Sequence, residues 1–257
     1  LARHGVVAVL IDYRLSPWVR HPGHVQDVAR AFAWTRAHAR DHGGDPDQIF
    51  LCGHSAGGHL VALLATDDAY LKDPALKLGP ADRAALRGVI AVCGVYRIPG
   101  PAEFRKLTAD TIDGMLPASA RKRIATALVV HMLARRTERL NPFPLVFGDN
   151  PRTFTRASPI AHVRKGLPPF LILYAGTELP GLAKMARDFA KALRDAGDTA
   201  ELLEVAGANH HFIVFHLDRP GDPVARALLK FIAAHTKKPA AVGDRPSGKL
   251  RPVGGPQ

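Results

Sequence analysis

The chain has 257 residues, 47% hydrophobic, 23% charged and 7% aromatic, which is ample for one buried core and too apolar for a wholly disordered polymer. Two cysteines exclude a disulfide scaffold or a cysteine-rich zinc module, and no apolar run reaches the roughly 18–20 residues of a membrane helix, so no span is expected. The net charge of +12 is concentrated: residues 237–257 and residues 100–140 each carry +4, without a zinc-finger motif, a ribonucleoprotein motif or interleaved aromatics, so a basic surface is expected and no nucleic-acid partner.

In chain order, residues 5–13 (G-V-V-A-V-L-I-D-Y) form a continuous apolar run, which predicts a strand buried on both faces. Residues 25–42 place Val25, Val28, Ala29, Phe32, Ala33 and Ala37 at helical spacing, stopped by Gly43-Gly44-Asp45-Pro46. A short strand over 48–52 leads into an Ala- and Leu-rich helix over 56–65, and a further strand is predicted over 87–93. Residues 170–175 read as the next strand. They are followed by a helix with the stripe Leu182, Met185, Ala186, Phe189, Ala190 and Leu193, then by a strand over 200–205. Asp222 at an N-cap with Pro223 behind it opens a last helix to about Thr236. Strands alternating with helices at this spacing predict an α/β fold with a mainly parallel sheet.

One region breaks the alternation. Residues 100–159 contain helical patterns over 102–115 and 118–139 and a Pro-rich loop, and are expected to pack over the active site as a cap. The core is then residues 1–99 and 160–236, and the Pro/Gly-rich residues 237–257 form a basic tail expected to be disordered.

The chemistry is carried by Gly53-His54-Ser55-Ala56-Gly57, a G-x-S-x-G motif that composition alone would produce roughly 0.04 times in this chain. A strand runs in and a helix runs out, the context of a strained strand-to-helix turn that presents a serine nucleophile. Glycine at 53 and 57 is expected to remove side chains that would clash across the turn. The Ala56 N–H, at the positive end of the following helix, is the expected donor to an oxyanion. A serine needs a base, and the base an orienting acid. The loop after the strand over 170–175 holds one carboxylate, Glu178; the loop after the strand over 200–205 holds two candidate bases, His210 and His211. His54 and His59 flank the serine without an accompanying Asp/Glu/Cys cluster in the sequence, so neither metal nor cofactor is expected. Cys52 and Cys93, both in predicted central strands, are expected to be buried and free, in keeping with a cytoplasmic protein.

The run Asp12-Tyr13-Arg14-Leu15-Ser16-Pro17, with Asp27, Gly43-Gly44-Asp45-Pro46 and Gly53-His54-Ser55-Ala56-Gly57-Gly58-His59, resembles the hormone-sensitive-lipase-like branch of the α/β-hydrolases. It is similar in particular to feruloyl-esterase-like and kynurenine-formamidase-like carboxylesterases. The resemblance covers about residues 1–236. It implies an α/β-hydrolase fold and a carboxylic ester hydrolase with Ser55 as nucleophile, Glu178 as acid and, from the small residue and Asn before it, His210 as base. It also implies that Asp12, Arg14 and Asp27 brace the loops around the serine. A small-molecule ester or amide is the implied partner, with an N-formyl amide or a peptide as alternative substrates and oligomeric state left open. The branch carries a His-Gly-Gly motif, on a strand between the D-Y-R strand and the serine strand, that supplies most of the oxyanion hole; this chain contains none. Together with a start at Leu1, that implies a chain truncated at its N-terminus and missing its first strands, or alternatively a relic that no longer catalyses.

Overall fold

A computed structural model of the chain describes residues 1–115, 117, 119, 130–133 and 141–237. Among the described residues four strands form one sheet, β1 (Ile49–His54), β2 (Leu86–Val92), β3 (Phe170–Thr177) and β4 (Ala200–Asn209), in the order β1-β2-β3-β4 with every pair parallel. Each lies where the apolar runs predicted it, with ends shifted by no more than four residues. The longer helices among the described residues are α1 (Gly23–His38), α2 (Ala56–Thr66), α3 (Pro101–Met115), α4 (Leu182–Asp195) and α5 (Pro223–His235). Among the described residues no helix is long and apolar enough to cross a membrane.

The period-two pleat of the strands divides the core into two layers. On one face Val89, Ala91, Phe170 and Ile172 pack with Val61 and Ala62 of α2 and with the whole predicted stripe of α4. On the other, Ile90, Val92, Leu171 and Leu173 pack with Val224, Leu228 and Phe231 of α5. α1 buries Val25, Val28, Ala29 and Phe32 against Leu60, Leu63 and Leu64 of α2. The Asp222 side chain caps α5, accepting from the Ala225 N–H at 2.7 Å. Beyond α5, the Gln48 side chain grips the Lys237 backbone on both sides, accepting from its N–H at 2.6 Å and donating to its carbonyl at 2.8 Å.

Two expectations are corrected here. Residues 5–13 do not form a strand: the segment makes no ladder, and Leu10 is 98% exposed. A strand persists only if its N–H and C=O groups find a neighbour. β1 is the edge of the sheet among the described residues, and a cleft of about 860 Å³, lined by Val7, Val9 and Ile11 on one side and Phe50 and Cys52 on the other, separates it from this apolar segment. For the same reason Cys52 is exposed rather than buried, while Cys93 is buried; both are free.

Arg14 and Asp27, expected to brace the loops around the serine, pair with each other. Arg14 donates to both Asp27 oxygens at 2.9 Å, and its backbone N–H donates at 3.0 Å. Arg30 adds a second guanidinium, and the Arg14 hydrogen bond, with the others, holds the Asp27 carboxyl down at about 2. Asp12 takes no part and is exposed. Of the expected helices in residues 100–159, the first is α3; the second, over 118–139, lies almost wholly outside the described residues.

Candidate active site

β1 ends at His54 and α2 begins at Ala56, so Ser55 alone makes the turn, with φ 55° and ψ −115°. A non-glycine residue with positive φ costs on the order of 1–3 kcal/mol, and the surrounding hydrogen bonds hold it there. Its N–H donates to the Val92 carbonyl of β2 at 2.8 Å, and its own carbonyl accepts from His59 N–H at 3.0 Å. The glycines around it divide the work differently from the sequence expectation. A Cβ on Gly53 would lie 2.4 Å from the carbonyl carbon and oxygen of Gly57, and one on Gly58 would lie 2.9 Å from the Val92 oxygen, whereas one on Gly57 would meet nothing within 4 Å. The turn therefore needs Gly53 against the Gly57 backbone, and Gly58 where α2 passes the end of β2; the absent side chain of Gly57 relieves no clash. Gly53→Ala is expected to destabilise the chain by about 2 kcal/mol or more, and Gly57→Ala to leave the thermal midpoint within a degree or two; thermal unfolding followed by circular dichroism compares them.

Three side chains from three strand ends converge. His210 Nε2 lies 2.9 Å from Ser55 Oγ, and His210 Nδ1 lies 2.5 Å from Glu178 Oε1. The His210 and Glu178 side chains are only 4% and 3% exposed, so the charge relationship between them is little screened. Glu178 follows β3, where the chain leaves the sheet before α4. Its Oε1 also accepts from the Leu179 N–H at 2.8 Å and its Oε2 from the Ala175 N–H at 3.2 Å. Burial by itself pushes the Glu178 carboxyl up, but hydrogen bonds from His210, the Cys93 thiol and Leu179 outweigh it and hold the group below its ordinary value, as a carboxylate.

His210 follows β4. Asn209 Oδ1 accepts from the backbone N–H of His211 at 3.1 Å and of Phe212 at 3.0 Å, tying down the turn that aims the His210 ring. His211, the rival base, is exposed, and its ring stands edge-on to that of His210 at 5.1 Å. Of the two, His210 alone bonds Ser55. Ala56 is exposed as the first residue of α2, where a backbone N–H has no partner within the helix.

Two contacts escaped the sequence reading because their partners are far apart in the chain. His54 Nε2 donates to the His210 carbonyl at 2.8 Å, with the two rings 5.0 Å apart. His59 is fully buried in α2, and its Nε2 donates to the Ala157 carbonyl at 2.7 Å. Burial, the largest effect, lowers His59 to about 4, so it stays neutral. Besides Ala157, further described residues of the region 100–159 come close to the site. Leu107 of α3 fills the space beside Gly181, just after Glu178, and Phe147 stands edge-on to His59 at 5.6 Å.

A family profile described as the alpha/beta hydrolase fold matches residues 1–214. Esterase LipQ of Mycobacterium tuberculosis is 34% identical over 211 residues, 81% of this chain and 43% of its own length. Esterase LipC of the same organism is 32% identical over 236 residues, 90% of this chain and 51% of its own. The chain thus spans about half the length of these curated relatives. Among solved structures, Thermogutta terrifontis esterase 2 phosphoramylated by tabun superposes with a TM-score of 0.55 at 25% identity, covering 87% of this chain and 67% of that one.

Proposed function

Because the chain belongs to the α/β-hydrolase fold family, we propose that it is a serine hydrolase that cleaves carboxylic esters through Ser55, His210 and Glu178. The observation that carries this reading is the unbroken chain Ser55 Oγ–His210 Nε2, His210 Nδ1–Glu178 Oε1, at 2.9 and 2.5 Å. The names of LipQ and LipC, both esterases, support the same class of reaction. His210 takes the Ser55 proton as Oγ attacks the ester carbonyl, and Glu178 stabilises the imidazolium so formed. The Ala56 N–H donates to the oxyanion of the tetrahedral intermediate; such a donor contributes on the order of 3–4 kcal/mol. The alcohol leaves with the proton from His210, and water, deprotonated by the same ring, releases the acid from Ser55. The segment 100–159 acts as a cap over this site, a role supported by its contacts beside Gly181 and His59.

A phosphorus adduct on the structural neighbour makes the test direct. A fluorophosphonate probe should label the chain on Ser55, and p-nitrophenyl butyrate should be hydrolysed. Ser55→Ala should abolish both, with retained labelling in the variant assigning the nucleophile elsewhere.

A further inference from the structure

Cys93, which follows β2, is 1% exposed and sits with φ 50°. The proposed catalytic steps do not use it. Its sulfur and one ring nitrogen from each of His54 and His210 lie within 4.8 Å of one another. The three side chains come from the ends of three different strands, so the sequence alone keeps them 39 to 156 positions apart.

The hydrogen bonds around the two rings are those of imidazoles prepared for a cation. A metal-ligating histidine gives its second ring N–H to a backbone carbonyl or a carboxylate, which fixes the tautomer and leaves the other nitrogen's lone pair free. Here His54 gives Nε2–H to the His210 carbonyl at 2.8 Å, and His210 gives Nδ1–H to Glu178 at 2.5 Å. Each ring keeps one nitrogen that can face a cation, Nδ1 of His54 and Nε2 of His210, the latter now accepting from the Ser55 hydroxyl. The Cys93 thiol donates to Glu178, and it becomes a thiolate ligand when a cation displaces that proton.

We propose that His54, Cys93 and His210 form a site for a borderline-soft divalent cation, taken by Zn²⁺, whose occupation switches off the serine. Two imidazoles and a thiolate are a donor set that favours zinc over magnesium or calcium. Zinc donors in a tetrahedron stand roughly 3.3–3.6 Å apart, so side-chain rotations of about 1 Å close the present spacing. Coordination releases the thiol proton to water and commits the His210 lone pair to the metal. Ser55 then has no base. Binding stands independently of the esterase reading; the loss of activity rests on it.

The test uses the full chain in two arms. Co²⁺, a spectroscopic stand-in for Zn²⁺, should give a thiolate-to-cobalt charge-transfer band in the near ultraviolet that Zn²⁺ abolishes. The band should persist in Cys52→Ser and vanish in Cys93→Ser. In the second arm, Zn²⁺ but not Mg²⁺ should inhibit p-nitrophenyl butyrate hydrolysis. Cys93→Ser and His54→Phe, each normalised to its own metal-free rate, should need at least tenfold more Zn²⁺ for half inhibition. A cobalt protein without the band, a band that follows Cys52, or equal inhibition in all three proteins would overturn the proposal. Absence of hydrolysis in the metal-free protein counts against the esterase reading alone, and the cobalt band still decides the site.

Discussion

His210→Ala is expected to lower kcat for p-nitrophenyl butyrate by on the order of 10⁴-fold or more, while His211→Ala lowers it less than about threefold. The reason is geometric. His210 is the ring within 2.9 Å of Ser55 Oγ and 2.5 Å of a buried carboxylate, whereas His211 is exposed and touches the site only through the edge of its neighbour. Removing the base leaves Ser55 as an ordinary alcohol with no proton acceptor. Glu178→Gln should cost between about 10² and 10⁴ in kcat with little change in KM, because the amide keeps the size of the side chain but not the charge that stabilises the imidazolium. Steady-state kinetics on the three variants decide the roles. An equal or larger loss in His211→Ala would reassign the base.

Acid should destabilise the chain in a window to which His59 contributes alongside His21, which burial also lowers to about 4. The folded His59 pKa of about 4 lies below the ordinary 6.5, so above pH 6.5 the ring is neutral in both states and its contribution to stability is complete. Between pH 6.5 and 4 the unfolded chain binds a proton that the folded chain refuses. Stability then falls by up to about 1.4 kcal/mol per pH unit, about 3 kcal/mol in all. Asp27, lowered to about 2 chiefly by its hydrogen bond with Arg14, contributes stability that is lost in a separate window, as pH falls below the ordinary carboxylate value towards 2. Urea midpoints at pH 7 and pH 4.5 measure the first effect. His59→Gln offers an amide donor to the Ala157 carbonyl but cannot titrate, so its stability should change less between the two pH values than that of the parent. Parallel pH curves for the two proteins would show that His59 is not a source.

The sequence by itself determined the parallel α/β architecture, the order of its strands and helices, and Ser55, Glu178 and the pair His210 and His211 as the candidates to bring together. These follow from local rules. Apolar runs of strand length, the 3.6-residue stripe of α4 and the Asp222-Pro223 helix start are each written in neighbouring residues. Only the tertiary structure decided the rest. Whether residues 5–13 become a strand depends on a partner for their backbone groups, and no property of the run itself provides one. That Gly53 and Gly58, rather than Gly57, are the glycines the serine turn cannot do without depends on which backbone atoms the turn brings within 3 Å. The choice of His210 over His211 depends on a ring orientation set by Asn209. The meeting of His54 and Cys93 with His210 joins positions that no periodicity links, because it is made by the register of β1, β2 and β4 in one sheet. Patterns along a chain encode which elements form; contacts between elements, and the chemistry those contacts create, exist only once the sheet has aligned the strand ends.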